Sequence, residues 1–200
     1  MSIDIVKRWE REPLVAGDTR KRMIRQAALL FRAQGYAGTG IREVAERAGA
    51  NRGVIYHHFP GGKPEMATEV MAYIDGMVSP GIAAVCATQE PIPAMRAILE
   101  AAKLVMAGGD QPAGCPVAAI ALGAGSGEQA LRSTARAIFR RWQVPFRECL
   151  ARNGFGESDA ANLATLVIAG MEGALILCRT EGATDPLDRV AAGLERALKP

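Results

Sequence analysis

Apolar positions recur along this chain at three- and four-residue intervals, the spacing of helices that each bury one face. From Asp18 or Thr19 to Gln34 the inward set is Ile24, Ala27, Ala28 and Phe31, and Gly35 closes the helix. Thr39 is placed to cap a second helix with the stripe Ile41, Val44, Ala45 and Ala48. Gly49 ends it, because the residue after a helix commonly takes a positive φ that glycine adopts without strain. Asn51 then suits the N-cap of a short third helix, Arg52 to Phe59, whose Val54, Ile55, Tyr56 and Phe59 are too few to pack alone. Residues 39–63 thus read as two short helices joined by a tight glycine turn with a basic residue opening the second, the layout of a helix-turn-helix.

The same periodicity continues. A long helix is predicted from Lys63 or Pro64 to the region before Pro80, another from Pro91 and Pro93 to Ala107, and a loop over residues 108–112. A short helix follows Pro116, with Val117, Ile120, Ala121 and Leu122 bounded by Gly123. Next comes a longer one from Gly127 to Asn153, in which Pro145 predicts a kink and Phe139, Trp142 and Phe146 share a side. Two final helices span Ser158 to Thr180 and Asp185 to Lys199, and no strand pattern or internal repeat is present. Residues 1–17 lack periodicity and read as a flexible arm. The expected fold is all-α: an amino-terminal three-helix helix-turn-helix domain over 18–63, then a larger helical body over 64–200.

Composition supports a helical protein with a real core, since about half of the 200 residues are apolar and aromatics are sparse. Charge is unevenly placed. Residues 1–63 hold twelve Lys/Arg against six Asp/Glu, a net +6, while residues 64–200 hold twelve against fifteen, a net −3. The basic half coincides with the helix-turn-helix, as expected of a module that contacts phosphates. Arg52, at the start of the second helix of that motif, is the candidate for a base edge such as guanine, Gly53 lets the backbone come close, and Val54 offers methyl contact. Thr39, Tyr56, His57 and Lys63 are the candidate phosphate contacts, and Arg42 completes the set.

Other chemistries find little support. Cys86, Cys115, Cys149 and Cys178 are far apart and form no CxxC pair, and the two histidines, His57 and His58, are adjacent and diverge on a helix, so no metal site is expected. Gly123, Gly125 and Gly127 miss the dinucleotide fingerprint because Glu128 holds the final position; Ser126 lacks the flanking glycines of a nucleophile elbow; Pro64 replaces the hydroxyl residue that a phosphate loop requires. A small helical enzyme would have to use Cys115, and an architectural DNA-binding protein without a ligand is the other alternative. No cofactor and no catalytic residue are expected. No run of ~18 uninterrupted apolar residues suggests a membrane span, and the start of the chain carries Asp4, Lys7, Arg8 and Glu10, so a cytoplasmic protein is expected.

Ile24, Ala27, Ala28, Leu30, Phe31, Gly35, Tyr36, Thr39, Ile41, Val44, Ala45, Ala48, Gly49, Asn51, Gly53, Tyr56, His58, Phe59 and Lys63 together resemble the DNA-binding domain of TetR-family transcriptional regulators. FPGGK at Phe59–Lys63 and GCPVAAIAL at Gly114–Leu122 resemble the LmrA/YxaF-type subgroup. Asn51 stands where the family usually has Ser and keeps the capping role. The resemblance implies a repressor of double-stranded operator DNA, a small-molecule effector such as a flavonoid-like aromatic or drug, and a homodimer joined by its carboxy-terminal helices. Candidate effector contacts are the large, soft or aromatic Met95, Leu99, Met106, Cys115, Ile120, Phe139, Trp142, Phe146 and Met171. The candidate dimer face is Leu163, Leu166, Val167, Gly170, Ala174 and Leu177, with Leu187, Val190, Ala191, Leu194 and Leu198 on the last helix.

Overall fold

The structure, a computed structural model, describes residues 18–107 and 114–199, the side chains of residues 52 and 107 excepted. The proposed arm and the whole of the loop at 108–112 lie outside the described residues. Among those residues the regular structure is helical: α1 (Thr19–Gly38), α2 (Ile41–Arg47), a single 3-10 turn (Arg52–Val54) leading into α3 (Ile55–His58), α4 (Gly62–Thr88), α5 (Pro91–Ala107), α6 (Pro116–Gly123), α7 (Gln129–Arg152), α8 (Glu157–Glu181) and α9 (Asp185–Ala197).

Helix α1 opens as the sequence predicts, with Asp18 accepting a bond from the Lys21 amide, and it is broken at Gly35, whose φ of 80° is not helical. Thr39 does not cap α2. The residue before α2 is Gly40, which offers no side chain, and the Thr39 hydroxyl donates instead to the Gly35 carbonyl at 2.8 Å. The break at Gly35 leaves that carbonyl without its helical partner, and a hydroxyl four residues on is the nearest donor.

Helix α4 runs on to Thr88 and does not stop before Pro80. A proline inside a helix costs about 3 kcal/mol, but the turns beyond it bury Ile82, Val85 and Cys86. Each such apolar side chain contributes about 1.5–3 kcal/mol, so continuing the helix wins. Pro145 is likewise carried inside a continuous α7. Both α4 and α8 are long and apolar enough to cross a bilayer by length and composition. Core helices of water-soluble proteins meet the same test, and α4 bears Glu65, Glu69 and the buried Asp75 along its length.

The described chain divides into two compact units, one of residues 18–76 with 115–138, the other of 77–107 and 114 with 139–199. In the first, α1 packs on α2 and α6 around Met23, Leu30, Phe31, Ile55, Phe59 and Ile120. Gly123 is glycine for a packing reason: a Cβ there would lie 3.0 Å from the Tyr36 Cβ and 3.3 Å from the Ala37 amide. In the second unit α9 packs on α8 and α5, and Met95, Met106, Trp142, Phe146, Val167 and Cys178 are fully buried.

Candidate nucleic-acid interface

The turn between α2 and the next helical segment is held from the backbone outward. Gly49 has φ 63°, its amide donates to Glu46 O at 3.0 Å, and the Ala50 amide donates to Ala45 O at 2.9 Å, so the last carbonyls of α2 are satisfied. Arg22 Nε on α1 donates to Ala48 O at 3.0 Å, tying that turn to the supporting helix. Asn51 Oδ1 accepts from the Gly53 amide at 3.2 Å, which caps the segment as the sequence predicts.

From there the segment is anchored by two buried side chains, Ile55 and Phe59. The Arg20 guanidinium stands 5.0 Å from the centre of the Phe59 ring while it pairs with both carboxylate oxygens of Glu69 on α4. These contacts leave one edge facing outward. Asn51, Gly53, Tyr56 and His57 are exposed, Val54 is half-buried, and Tyr56 is 57% exposed. An exposed aromatic with a hydroxyl at its tip, beside an imidazole and a side-chain-free backbone at Gly53, presents donors and a flat face on a rigid support. Arg42 on α2 is exposed as well.

Two of the proposed phosphate contacts are placed otherwise. Thr39 is 2% exposed and its hydroxyl is engaged by Gly35, so it is not offered to a phosphate. Lys63 is half-buried, with its ammonium 4.5 Å from the Tyr36 ring centre and donating to Ala37 O at 3.3 Å. His57 and His58 form an edge-on ring pair at 5.5 Å. Sequence reasoning missed the Arg20–Glu69–Phe59 support and the partner of Tyr36, because both join residues far apart in the chain.

Residues 23–70 match the family model for bacterial regulatory proteins of the tetR family. Residues 91–193 match the model for the C-terminal domain of LmrA/YxaF-like transcriptional regulators. The chain belongs to the TetR family. It is 30% identical to the HTH-type regulator YxaF of Bacillus subtilis over 88% of this chain and 92% of that one. A solved TetR regulator from Chloroflexus aurantiacus is 30% identical over 88% and 92% of the two chains, with a TM-score of 0.73. CifR, a TetR-family regulator solved as a cysteine mutant with 26-base-pair operator DNA, shares the fold at a TM-score of 0.70 and 20% identity, over 94% of this chain and 98% of that one.

The proposed effector contacts are divided between the two units. Met95, Leu99, Met106, Phe139, Trp142, Phe146 and Met171 fall in the second unit, whereas Cys115 and Ile120 fall in the first. Phe139 meets Trp142 edge-on at 5.4 Å. A cleft of about 230 Å³ in the second unit shares only Leu99 with the proposed set; its rim is charged, with Arg96 paired to Glu195, and Glu100 and Asp188 beside them. That volume is below the range of ~300–1,000 Å³ usual for ligand pockets.

The proposed dimer face also divides. Val167, Ala174 and Leu194 are buried within the chain, and a Cβ at Gly170 would meet Val190 at 3.1 Å, so Gly170 and Val190 pack α8 on α9. Leu163 is half-buried. Leu166 and Leu177 are 46% and 48% exposed, and Ile176, which the sequence reading left out, is 58% exposed. With Ala169 and Gly173 they form one continuous small and apolar stripe along α8.

Among the described residues no group of three His, Cys, Asp or Glu could hold a metal. Cys86, Cys149 and Cys178 are buried and Cys115 is half-buried. Burial, reinforced by the neighbouring Cys149, pushes the Cys86 thiol up to about 12, so it carries no thiolate near neutral pH. Iodoacetamide at pH 8 should therefore label Cys115 first in the folded protein and leave the other three until unfolding. Peptide mapping that found Cys86 or Cys149 labelled as fast as Cys115 would contradict this core.

Proposed function

We propose that this TetR-family regulator acts as a dimeric repressor in the cytoplasm, which two copies of the reader bring to a two-fold operator and which a small aromatic or largely apolar effector releases. The observation that carries the DNA half is the outward edge Asn51, Gly53, Tyr56 and His57, set on the buried anchors Ile55 and Phe59. Arg52, next in sequence after the Asn51 cap, is the base-reading residue, Tyr56, His57 and Arg42 hold phosphates, and Val54 offers a methyl contact. CifR, which shares the fold, is seen with operator duplex.

Two copies are supported by the stripe of α8, where Leu166, Ile176 and Leu177 stand exposed. One short helix reads too few base pairs for useful specificity, whereas paired heads ~34 Å apart match successive major grooves. The effector half rests on the Met- and aromatic-rich core of the second unit. Moving a population from mostly bound to mostly released takes about 5.5 kcal/mol of differential affinity, within reach of a ligand that buries its aromatic surface.

The test starts with duplexes selected by the protein from a random library. The selected duplex should carry a two-fold repeat, and log affinity should fall with log salt by ~0.9 per phosphate neutralised. A panel of flavones and planar drugs is then screened by thermal shift, and compounds that raise Tm should release the duplex. Enrichment of no sequence would reject the operator, and stabilisation without release would reject the effector.

A further inference from the structure

The reader segment, Thr39 to Lys63, is gripped at both ends by one residue that lies outside it. Tyr36, three residues before its start, donates its hydroxyl to Glu128 Oε1 at 2.5 Å. Lys63, its last residue, lies over the Tyr36 ring at 4.5 Å; burial lowers its pKa from the usual lysine value, and the Glu128 carboxylate partly offsets that. Glu128 sits in the turn between α6 and α7, where its other oxygen accepts from the Gly125 amide at 2.8 Å. The Tyr36 hydroxyl and that amide together hold its carboxyl below the usual carboxylate range, so it is an anion at neutral pH.

The turn that carries Glu128 is itself stiff. Arg132 donates to the carbonyls of Ala124 at 3.1 Å, Gly125 at 2.5 Å and Ser126 at 3.2 Å, and to the Gln129 side chain at 2.8 Å. Upstream of it α6 lies close against α1 at Gly123, where a Cβ would stand 3.0 Å from the Tyr36 Cβ, tighter than an ordinary contact. A displacement of α6 is therefore passed to its neighbours and not absorbed by soft side chains. At the far end the Gly62 amide donates to Phe59 O at 2.9 Å, so whatever fixes Lys63 also fixes the end of the DNA-facing segment.

We infer that Tyr36, Lys63 and Glu128 form an interlock through which the turn after α6 sets how the reader is presented to DNA. Glu128 is a positioning residue, since it stands behind the outward edge and acts through Tyr36 and Lys63. Glu128 belongs to the region matched by the C-terminal family model, whereas Tyr36 and Lys63 belong to the region matched by the N-terminal one, so the contact couples the two. The inference rests on the proposed DNA-binding function and names how that same site is controlled. Binding coupling is reciprocal: if the turn governs the reader, an occupied reader must alter the turn.

The experiment measures amide hydrogen exchange over residues 124–129 in the full-length protein, with and without the duplex it selects from a random library, alongside duplex affinity. In the wild type, duplex should slow exchange in that turn. In Tyr36→Phe and in Glu128→Gln that slowing should vanish, affinity should fall about tenfold in each, and the double substitution should fall no further. Tyr36→Phe keeps the buried ring, and circular dichroism checks that both variants are folded. A wild type that binds duplex without any change in the turn overturns the interlock while leaving the DNA-binding function intact. So do variants that keep wild-type affinity and protection. A wild type that selects no duplex removes the function and the interlock together.

Discussion

The double substitution Ile176→Glu with Leu177→Glu is expected to produce a monomer by sedimentation velocity at concentrations where the parent is a dimer, with duplex affinity reduced by at least a hundredfold. Both side chains are about half exposed in the single chain, 58% and 48%. Burying the remainder against a second copy is worth roughly 1 kcal/mol each, and two-fold symmetry counts each side chain twice, so about 4 kcal/mol is lost. The four carboxylates introduced would also have to leave water, at a further cost of several kcal/mol unless the interface opens. The effect on DNA follows, because a lone head keeps only half the contacts. Neither residue has a buried role within its own chain, so the monomer should retain its helical content. A variant that sediments as the parent dimer would show that another surface joins the copies.

Arg52→Ala is expected to lower affinity for the selected duplex by roughly thirtyfold and to flatten its preference at one base pair in each half-site. A bidentate contact between arginine and guanine discriminates by about 1–3 kcal/mol, and a dimer makes it twice, so even the lower bound gives about 2 kcal/mol. Tyr56→Phe provides the contrast. The loss of a phosphate contact should weaken binding to all sequences alike and reduce the salt slope, without altering which base is preferred. Competition binding against a library of single-base variants separates the two. If Arg52→Ala binds with unchanged preference, the base-reading role belongs to a residue other than Arg52.

The reader was legible in the sequence because its determinants are local. Gly49, Asn51 and the stripe Val44, Ala45 and Ala48 act within a few residues of themselves, and each appears in the fold where its spacing puts it. Thr39 was misread for a reason equally local: it could cap the helix ahead or satisfy the carbonyl behind. The unpaired Gly35 carbonyl decided the choice. Proline misled at Pro80, where the rule for a helix stop competes with the apolar turns that follow, and burial of Ile82, Val85 and Cys86 outweighs one lost bond.

The body was less legible. A helix rich in Leu, Ala and Gly on several faces does not declare which face meets its own chain, and α8 is of this kind. Val167, Ala174 and Gly170 turn inward while Leu166, Ile176 and Leu177 turn out, although all six look alike as apolar or small positions. The Met and aromatic residues proposed as effector contacts illustrate the same limit, since ordinary core and a ligand wall use the same side chains.

The sequence by itself determined the helical class, the helix-turn-helix with its glycine turn and Asn51 cap, the basic bias of the first 63 residues and the family, because period, caps and charge are written in near neighbours. Tertiary structure alone decided that Thr39 is buried and Lys63 lies over the Tyr36 ring, that Glu128 reaches Tyr36 across 92 positions, and which side of α8 is left uncovered. Those outcomes depend on contacts between residues distant in the chain, and only close packing chooses among the partners that a local pattern permits.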